Sequence, residues 1–354
     1  MKVNTLLVGF GNIGQSLSSI ILRDSEYLQK TLDLDIRVVG AVETDSHGEF
    51  HSAFSQNGLD LKTLIATKQT AGTVSSYPSA GGHQASLDLI RSSRAQLMLE
   101  STPTNLKDGE PGLTHIRAAL DAGMGVVTSN KGPLIFSLNE LRKFSADRGV
   151  GFRYSAAVAG ALPIIPTGYY SLAGCRVNCI EGILNGTSNF ILTEMSRSGA
   201  SINDALAQAQ KRGIAETDPR LDIEGYDTAF KLLVATNSIM GADVKLQDVK
   251  VSGIQDVTQK MIKEAEKKGH LWKLIGRAKR SDGGIDIKVG LEEIDSQHPF
   301  YSVNGIWKAV RFDTELLGEV VLLGGKSNPV LAAGAMIRDT INLVQDSELG
   351  NQTA

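Results

Sequence analysis

The first half of the chain alternates short apolar runs with helical patterns of apolar and polar positions. Apolar runs of strand length occupy residues 3–8, 36–42, 96–100 and 125–128. Helical spacing of apolar residues appears at 13–22 and 113–122, and loops rich in glycine and serine separate these segments. This alternation of strands and helices predicts a parallel sheet covered by helices on both faces.

The pattern changes near Tyr154, where small residues begin to dominate the sequence. A strand-like run at 175–184 follows, and later segments have mixed helical and strand patterns. The later predicted helices are 189–195, 204–211, 227–240, 257–268 and 331–344, and the later predicted strands are 285–291 and 320–323.

These patterns divide the chain into three segments. We predict an α/β domain over 1–153, an α+β domain over 154–325, and a C-terminal segment over 326–354 whose helix packs back on the first domain.

Composition narrows the class of protein. Hydrophobic residues make up 42% and charged residues 21% of the chain, which is typical of a folded globular protein. The net charge is −3 without a block of lysine and arginine, and aromatic residues make up only 5%, so we expect no nucleic-acid partner. No apolar run approaches the ~20 residues that cross a bilayer, so we expect no membrane partner.

The N-terminus and the cysteines bear on the cellular compartment. Gly9, Gly11 and Asn12 interrupt the first apolar run, and no cleavage site for a signal peptidase follows, so we predict a cytoplasmic protein. Cys175 and Cys179 are predicted to be reduced thiols on one face of a strand, too far apart to form a disulfide.

A glycine-rich turn follows the first predicted strand. Its sequence is Gly9-Phe10-Gly11-Asn12-Ile13-Gly14, a GxGxxG motif that directly precedes a helix. Gly9 would form the tight turn, Gly11 would let a pyrophosphate approach the backbone, and Gly14 would pack the helix on the sheet. The free amides at the start of the helix would bind the phosphates. The alternative is a flexible turn without a ligand.

The adenosine ribose of a dinucleotide usually contacts an acidic residue at the end of the second strand. Glu43 and Asp45 are the candidates, although an insert at 23–35 places them further from Gly14 than usual. Either could instead be a solvated carboxylate. Ser101 and Thr102, at the end of the third strand, complete the predicted cofactor site.

The densest cluster of charged residues is ETDPRLDIEGYDTAFK at 216–231. Pro219 and Gly225 predict a loop over 216–225, and Asp227 begins a helix. Asp227 and Lys231 are four residues apart and share a helix face. A surface ion pair is the alternative, but the apolar residues after Lys231 indicate packed surroundings. A calcium loop does not fit the spacing.

Four segments together resemble the homoserine dehydrogenase family. They are VTSNKGPL at 127–134, VAGALPII at 158–165, GILNGTSNFIL at 182–192, and the segment at 216–231 just described. They occur in the family's order over most of the chain and are more specific than the glycine motif alone.

The resemblance implies reversible hydride transfer between L-homoserine and L-aspartate 4-semialdehyde. It makes Lys231 the general acid/base, supported by Asp227, with Lys131 as a second active-site lysine. The substrate would be held by Glu216 and Asp222 and lined by Gly186 and Thr187. The cofactor would be NAD or NADP, with NAD favoured because a carboxylate at Glu43 or Asp45 repels a 2′-phosphate.

The resemblance also implies an architecture. The segment 1–153 becomes a Rossmann dinucleotide-binding domain, and 154–325 becomes the substrate-binding and dimerisation domain of a homodimer. Because only 345–354 follow the closing helix, the chain resembles the short form of the family, without a C-terminal regulatory domain.

Three departures from the family pattern bear on these expectations. Ser155 stands where many relatives have glutamate before a metal-holding turn, so we predict no metal ligands and only weak dependence on a monovalent ion. Backbone carbonyls around Val158 and Gly160 could still hold such an ion loosely. Ile214, two residues before Glu216, stands where relatives often have an aromatic residue. The loop Gly324-Gly325-Lys326-Ser327-Asn328-Pro329 differs from the usual small-residue loop.

Two alternatives remain open. A semialdehyde dehydrogenase would need a nucleophilic cysteine. A catalytically silent NAD-binding sensor would bind the cofactor without turnover.

Overall fold

The computed structural model describes residues 1–44, 49–78 and 85–352. The chain forms two compact units, Met1–Ala157 with Asn328–Ala354, which we call unit 1, and Val158–Ser327, which we call unit 2. The sequence pattern predicts these divisions after residues 153 and 325, four and two residues earlier.

Unit 1 is built on a largely parallel sheet. Its strands are β1 (Lys2–Val8), β2 (Asp35–Thr44), β3 (Phe50–Phe54), β4 (Leu97–Glu100), β5 (Gly125–Thr128) and β6 (Phe152–Arg153). They lie in the order β3-β2-β1-β4-β5-β6, and all neighbours are parallel except β3, which runs antiparallel to β2. The order reverses beside β1, and ligands bind outside the carboxyl ends of the strands at such a point.

Helices connect these strands. They are α1 (Asn12–Arg23), α2 (Ser25–Leu32), α3 (Leu61–Ala71), α4 (Ser86–Ser92), α5 (Gly112–Asp121) and α6 (Lys131–Asp147). Helix α1 forms because Leu17, Ile20 and Ile21 recur at helical spacing and bury one face. The polar insert after α1 contains α2, which the sequence analysis did not predict.

Unit 2 combines a mainly antiparallel sheet with helices. Its elements are α7 (Ile164–Pro166), β7 (Val177–Ile183), α8 (Gly186–Ser198), α9 (Ile202–Lys211), α10 (Arg220–Ile223), α11 (Tyr226–Ile239), β8 (Lys250–Val251), α12 (Gln259–Glu266), β9 (Leu271–Ser281), β10 (Gly284–Ile294), β11 (Lys308–Thr314) and β12 (Gly318–Gly324). The strand order is β12-β11-β7-β9-β10-β8. Asp282 and Gly283 form the two-residue turn between β9 and β10, the sequence that such hairpins favour.

The chain ends in helix α13 (Pro329–Gln352), which belongs to unit 1. Ala333, Met336 and Ile337 pack in one buried cluster with Leu17 and Ile21 of α1. The predicted fold class, an α/β unit followed by an α+β unit and a helix that returns to the first, is therefore confirmed. None of the helices in the described ranges is long and apolar enough to cross a membrane.

Several local features of the structure were either not predicted from the sequence or predicted wrongly. Strands β9 and β11 were not predicted, and α10 lies inside the predicted loop over 216–225. Cys175 precedes β7, so the two cysteines do not share one strand face.

Candidate active site

The glycine-rich turn of unit 1 has the geometry that its sequence requires. Gly9 has φ +98°, and its amide donates to Val42 O over 2.8 Å. A Cβ on Gly9 would lie 2.5 Å from the backbone of Ser101 and 2.7 Å from Thr102 N. Only glycine fits because the end of β4 approaches this turn so closely.

The two later glycines of the motif have different surroundings. A Cβ on Gly14 would lie 2.3 Å from Gly9 O, whereas a Cβ on Gly11 would have nothing within 4 Å. Gly11 precedes α1 and caps it without a side-chain hydrogen bond. The space beside Gly11 at the start of α1 is therefore open. The first amides of a helix lack partners within the helix, so a dinucleotide pyrophosphate fits beside this turn.

Glu43, the acidic residue near the end of β2, forms an ion pair and a hydrogen bond with other residues of unit 1. Glu43 Oε2 lies 2.6 Å from Lys68 Nζ, and Glu43 Oε1 accepts from Val74 N over 2.8 Å. Glu43 is 6% exposed. Asp45, the other candidate for the ribose contact, lies outside the described residues.

A buried carboxyl that the sequence analysis missed joins three segments at the carboxyl edge of the parallel sheet. Glu100, the last residue of β4, is completely buried. It accepts from the Thr102 hydroxyl and amide, from the Thr128 hydroxyl, and from Asn130 Nδ2. Burial raises the pKa of Glu100, although these hydrogen bonds act in the opposite direction.

Lys131 follows this network directly. It is the first residue of α6, and Asn130 caps the helix by accepting from Gly132 N over 3.0 Å. Ser101 lies on the same edge, where its hydroxyl donates to Gly9 O over 2.9 Å. The predicted cofactor residues Ser101 and Thr102 thus lie beside the glycine-rich turn.

The predicted proton-transfer pair lies in unit 2. Lys231 and Asp227 form an ion pair on α11, with side chains only 11% and 10% exposed. Lys231 Nζ also donates to Leu184 O over 3.0 Å. The pair is therefore enclosed by the protein and held in one geometry, unlike a solvated surface ion pair.

Asn185 extends this pair into a larger cluster, a role that its sequence context does not indicate. Its Nδ2 donates to Asp222 Oδ1 over 2.6 Å and to Asp227 Oδ2 over 2.8 Å. Burial raises the pKa of Asp222, and the neighbouring Asp227 raises it further. Asn185 and Lys231 act in the opposite direction. Among the four described residues Asn185, Asp222, Asp227 and Lys231, two carboxyl groups accompany one lysine, so the cluster suits a further positive group.

The predicted substrate loop lies at the start of α8. Asn185 Oδ1 accepts from Ser188 N over 2.8 Å and so caps this helix. Gly186 is the first helical residue, and the Thr187 hydroxyl donates to Ile214 O over 3.2 Å. Glu216 is exposed, so the structure does not bring its side chain into the buried part of the cluster.

The surroundings of Cys179 do not suit a catalytic nucleophile. It is buried in β7, where burial and the nearby Glu181 raise its thiol pKa to about 11. The thiol is therefore protonated near neutral pH and cannot readily form the thioester that a semialdehyde dehydrogenase requires.

Comparisons with known proteins agree with this arrangement. Residues 163–341 match the family model described as homoserine dehydrogenase. A homoserine dehydrogenase of Methanocaldococcus jannaschii is 39% identical over 98% of this chain and 100% of its own length. An NAD(+)-dependent homoserine dehydrogenase of Pseudomonas canavaninivorans is 33% identical over 96% of each chain. The crystal structure of a homoserine dehydrogenase from Thiobacillus denitrificans superposes with a TM-score of 0.84 at 28% identity, covering 99% of this chain and 74% of that one.

The parallel sheet with its glycine-rich turn and the enclosed lysine–aspartate pair define an oxidoreductase of the nicotinamide-dependent class. The matched family model and the relatives identify it further. The chain belongs to the homoserine dehydrogenase family.

Proposed function

We propose that this chain catalyses reversible hydride transfer between L-homoserine and L-aspartate 4-semialdehyde with a nicotinamide cofactor. The observation that carries the proposal is the enclosed cluster of Lys231, Asp227, Asn185 and Asp222 in a member of this family. It offers one proton donor beside carboxylates that can hold an amino group.

Lys231 is the group that transfers the proton. When bound, the nicotinamide supplies a hydride to the C4 carbonyl carbon of the semialdehyde or accepts one from C4 of homoserine. In reduction, Lys231 Nζ delivers a proton to the carbonyl oxygen, and in oxidation it takes the hydroxyl proton. Leu184 O and Asp227 orient the ammonium group by accepting from it. Lys131 serves as the second active-site lysine.

The substrate's amino-acid end is held by the acidic residues and by the start of α8. An ammonium group would supply positive charge to the buried carboxylates of Asp222 and Asp227, and Glu216 would contribute from the exposed loop. The first amides of α8, beside Gly186 and Thr187, suit the substrate carboxylate because helix N-termini favour anions.

The cofactor is held by unit 1. Gly9, Gly11, Asn12, Ile13 and Gly14 bind the pyrophosphate, and Ser101 and Thr102 lie beside it. We propose Glu43 and Asp45 as the acidic side of the ribose site.

The first test is Lys231→Met. We expect kcat to fall by about 10²–10⁴-fold, the usual contribution of general acid–base catalysis, while the Kd for NADH changes little. Steady-state kinetics with homoserine and fluorescence titration with NADH measure the two quantities.

Lys211→Met is the matched control because Lys211 is exposed at the end of α9 in the same unit. It should retain the activity of the unmodified chain. A Lys231→Met variant with near-normal kcat would remove the lysine from the mechanism. Absence of turnover with homoserine in the unmodified chain, despite NADH binding, would favour the silent sensor.

NAD is proposed to serve at least as well as NADP. An acidic ribose site would repel a 2′-phosphate, and one relative is named as NAD(+)-dependent. Lys68 partly offsets this charge by pairing with Glu43, so the expected preference is modest. The ratio of kcat/KM for the two cofactors measures it, and a large advantage for NADP would contradict the proposal.

We also propose that the protein is a homodimer. In unit 2 the edge strand β12 exposes Val321 at 42% and Leu323 at 57%, and the preceding turn exposes Leu316 at 71%. Such an edge strand favours association because, among the described residues, no strand lies beside its outer row of backbone groups and its apolar side chains are exposed.

A further inference from the structure

Lys308 is a completely buried lysine in unit 2. It is the first residue of β11 and is 0% exposed. A buried ammonium group is costly unless acceptors replace its lost water. Lys308 Nζ donates to Ala159 O over 2.6 Å and to Ser327 Oγ over 2.8 Å. These two acceptors come from two loops that lie outside β11.

The first of these loops turns sharply. Ala159 has φ +63° and Gly160 has φ +62°, so a residue with a side chain adopts the left-handed conformation. Such strain persists only where the surroundings maintain it. Here the carbonyl of that strained residue accepts from Lys308.

The second loop packs directly against the first. A Cβ on Gly325 would lie 2.6 Å from Leu162 Cβ and 3.0 Å from Leu162 N. Lys308 thus lies where the loops 158–162 and 324–327 meet within unit 2, and its ammonium group binds both.

The family resemblance implies a metal-holding turn at this position, where backbone carbonyls around Val158 and Gly160 would hold the ion. An ammonium group bound at the residue between these two does not fit a metal ion beside it. Ala159 O already accepts from an ammonium group. In unit 1, the Ser155 hydroxyl donates to Asp339 and accepts from Arg338, so it does not replace a glutamate ligand. A second cation beside Lys308 would add repulsion to the cost of burial.

We propose that the Lys308 ammonium group is a built-in cation that replaces a monovalent metal ion at the turn 158–162. It donates a hydrogen bond to the Ala159 carbonyl oxygen in the turn and joins the turn to the loop 324–327. The fold of unit 2 therefore needs no sodium or potassium ion at this position. This inference concerns binding and stability, and it does not depend on the proposed reaction.

The test compares thermal unfolding in sodium, potassium and choline chloride at equal ionic strength. The unmodified chain should have the same Tm in all three salts. Lys308→Ala should lower the Tm in choline chloride by roughly 5–10 °C, since it leaves buried acceptors unpaired. Sodium, potassium or ethylammonium should restore most of this loss by entering the vacated space.

Lys273→Ala is the matched control. Lys273 is also buried in unit 2, but its Nζ donates to Asn189, Val303 and Asn304 instead. This variant should lose stability without specific recovery by these cations. A Lys308→Ala variant that none of the cations restores would overturn the proposal, as would recovery of both variants alike.

Sodium-23 NMR of the unmodified chain provides a second measurement that does not require a folded variant. We expect no saturable line broadening on titration with sodium chloride. Saturable broadening accompanied by a sodium-specific rise in Tm would show that a metal ion binds in spite of Lys308, and the proposal would fail.

Discussion

Burial is the largest cause of the raised pKa at three carboxyl groups of this protein, Glu100, Asp222 and Asp339. Glu100 is surrounded by hydroxyl and amide donors, yet the loss of water raises its pKa above the ordinary value of 4.5. Between that value and the raised pKa, the folded chain binds a proton that the unfolded chain releases. The stabilisation of the fold by this bound proton is therefore complete below about pH 4.5. It is lost as the pH rises through the pKa that Glu100 has in the folded chain.

The variant Glu100→Gln tests whether Glu100 makes the fold less stable as the pH rises. The variant lacks the titrating proton, so the difference in unfolding free energy between the unmodified chain and the variant should decrease as pH rises above about 5, by at most about 1.4 kcal/mol per pH unit. Urea denaturation at several pH values measures it.

Glu140→Gln is the control because Glu140 is an exposed residue of α6. It should show no comparable trend. A difference for Glu100→Gln that grows with pH would mean that Glu100 is ionised in the folded chain.

At the level of the element, two glycines in the turn between β1 and α1 have different roles, one in packing and the other in ligand binding. Gly14 is required because a Cβ at this position would lie 2.3 Å from Gly9 O. Gly11 instead faces open space with φ −77°, which any residue adopts. Substitutions at these two glycines should therefore have different effects.

Gly14→Ala should lower both the Tm and the affinity for NADH because the added Cβ cannot fit without moving the turn. Gly11→Ala should leave the Tm of the free protein nearly unchanged and weaken NADH binding by about tenfold or more, since the methyl group occupies the approach to the backbone. Calorimetric titration and thermal unfolding measure the two effects. Normal NADH affinity in Gly11→Ala would show that the pyrophosphate does not bind at this turn.

For the molecule as a whole, exposed apolar residues on β12 predict assembly. Light scattering should give twice the chain mass of 37.8 kDa. Leu323→Lys places a charge on the exposed edge and should shift the protein toward monomer.

Leu22→Ser is the control, because Leu22 is a similarly exposed leucine of α1, 45% accessible, in unit 1. It should remain dimeric. An unmodified chain that is monomeric at micromolar concentration would contradict the proposed homodimer.

Features that neighbouring residues encode could be predicted from the amino-acid sequence. Hydrophobic periodicity predicted the two-part fold, the glycine motif predicted the turn after β1, and four-residue spacing placed Asp227 beside Lys231. The same pattern did not predict β9 or β11, because charged residues interrupt the apolar runs, at Lys273 and Arg277 in β9 and at Arg311 in β11. Tertiary packing provides acceptors for Lys273 and the buried Glu181 as the partner of both arginines.

The meeting of distant polar groups depended on the tertiary structure. Asn185 reaches Asp222 and Asp227, Glu43 pairs with Lys68, and Lys308 binds a carbonyl 149 residues away. Local pattern fixes which face of an element is buried, but it does not specify which distant groups lie opposite. Those partners follow from how strands and loops pack, and they set the charge and proton state of the site.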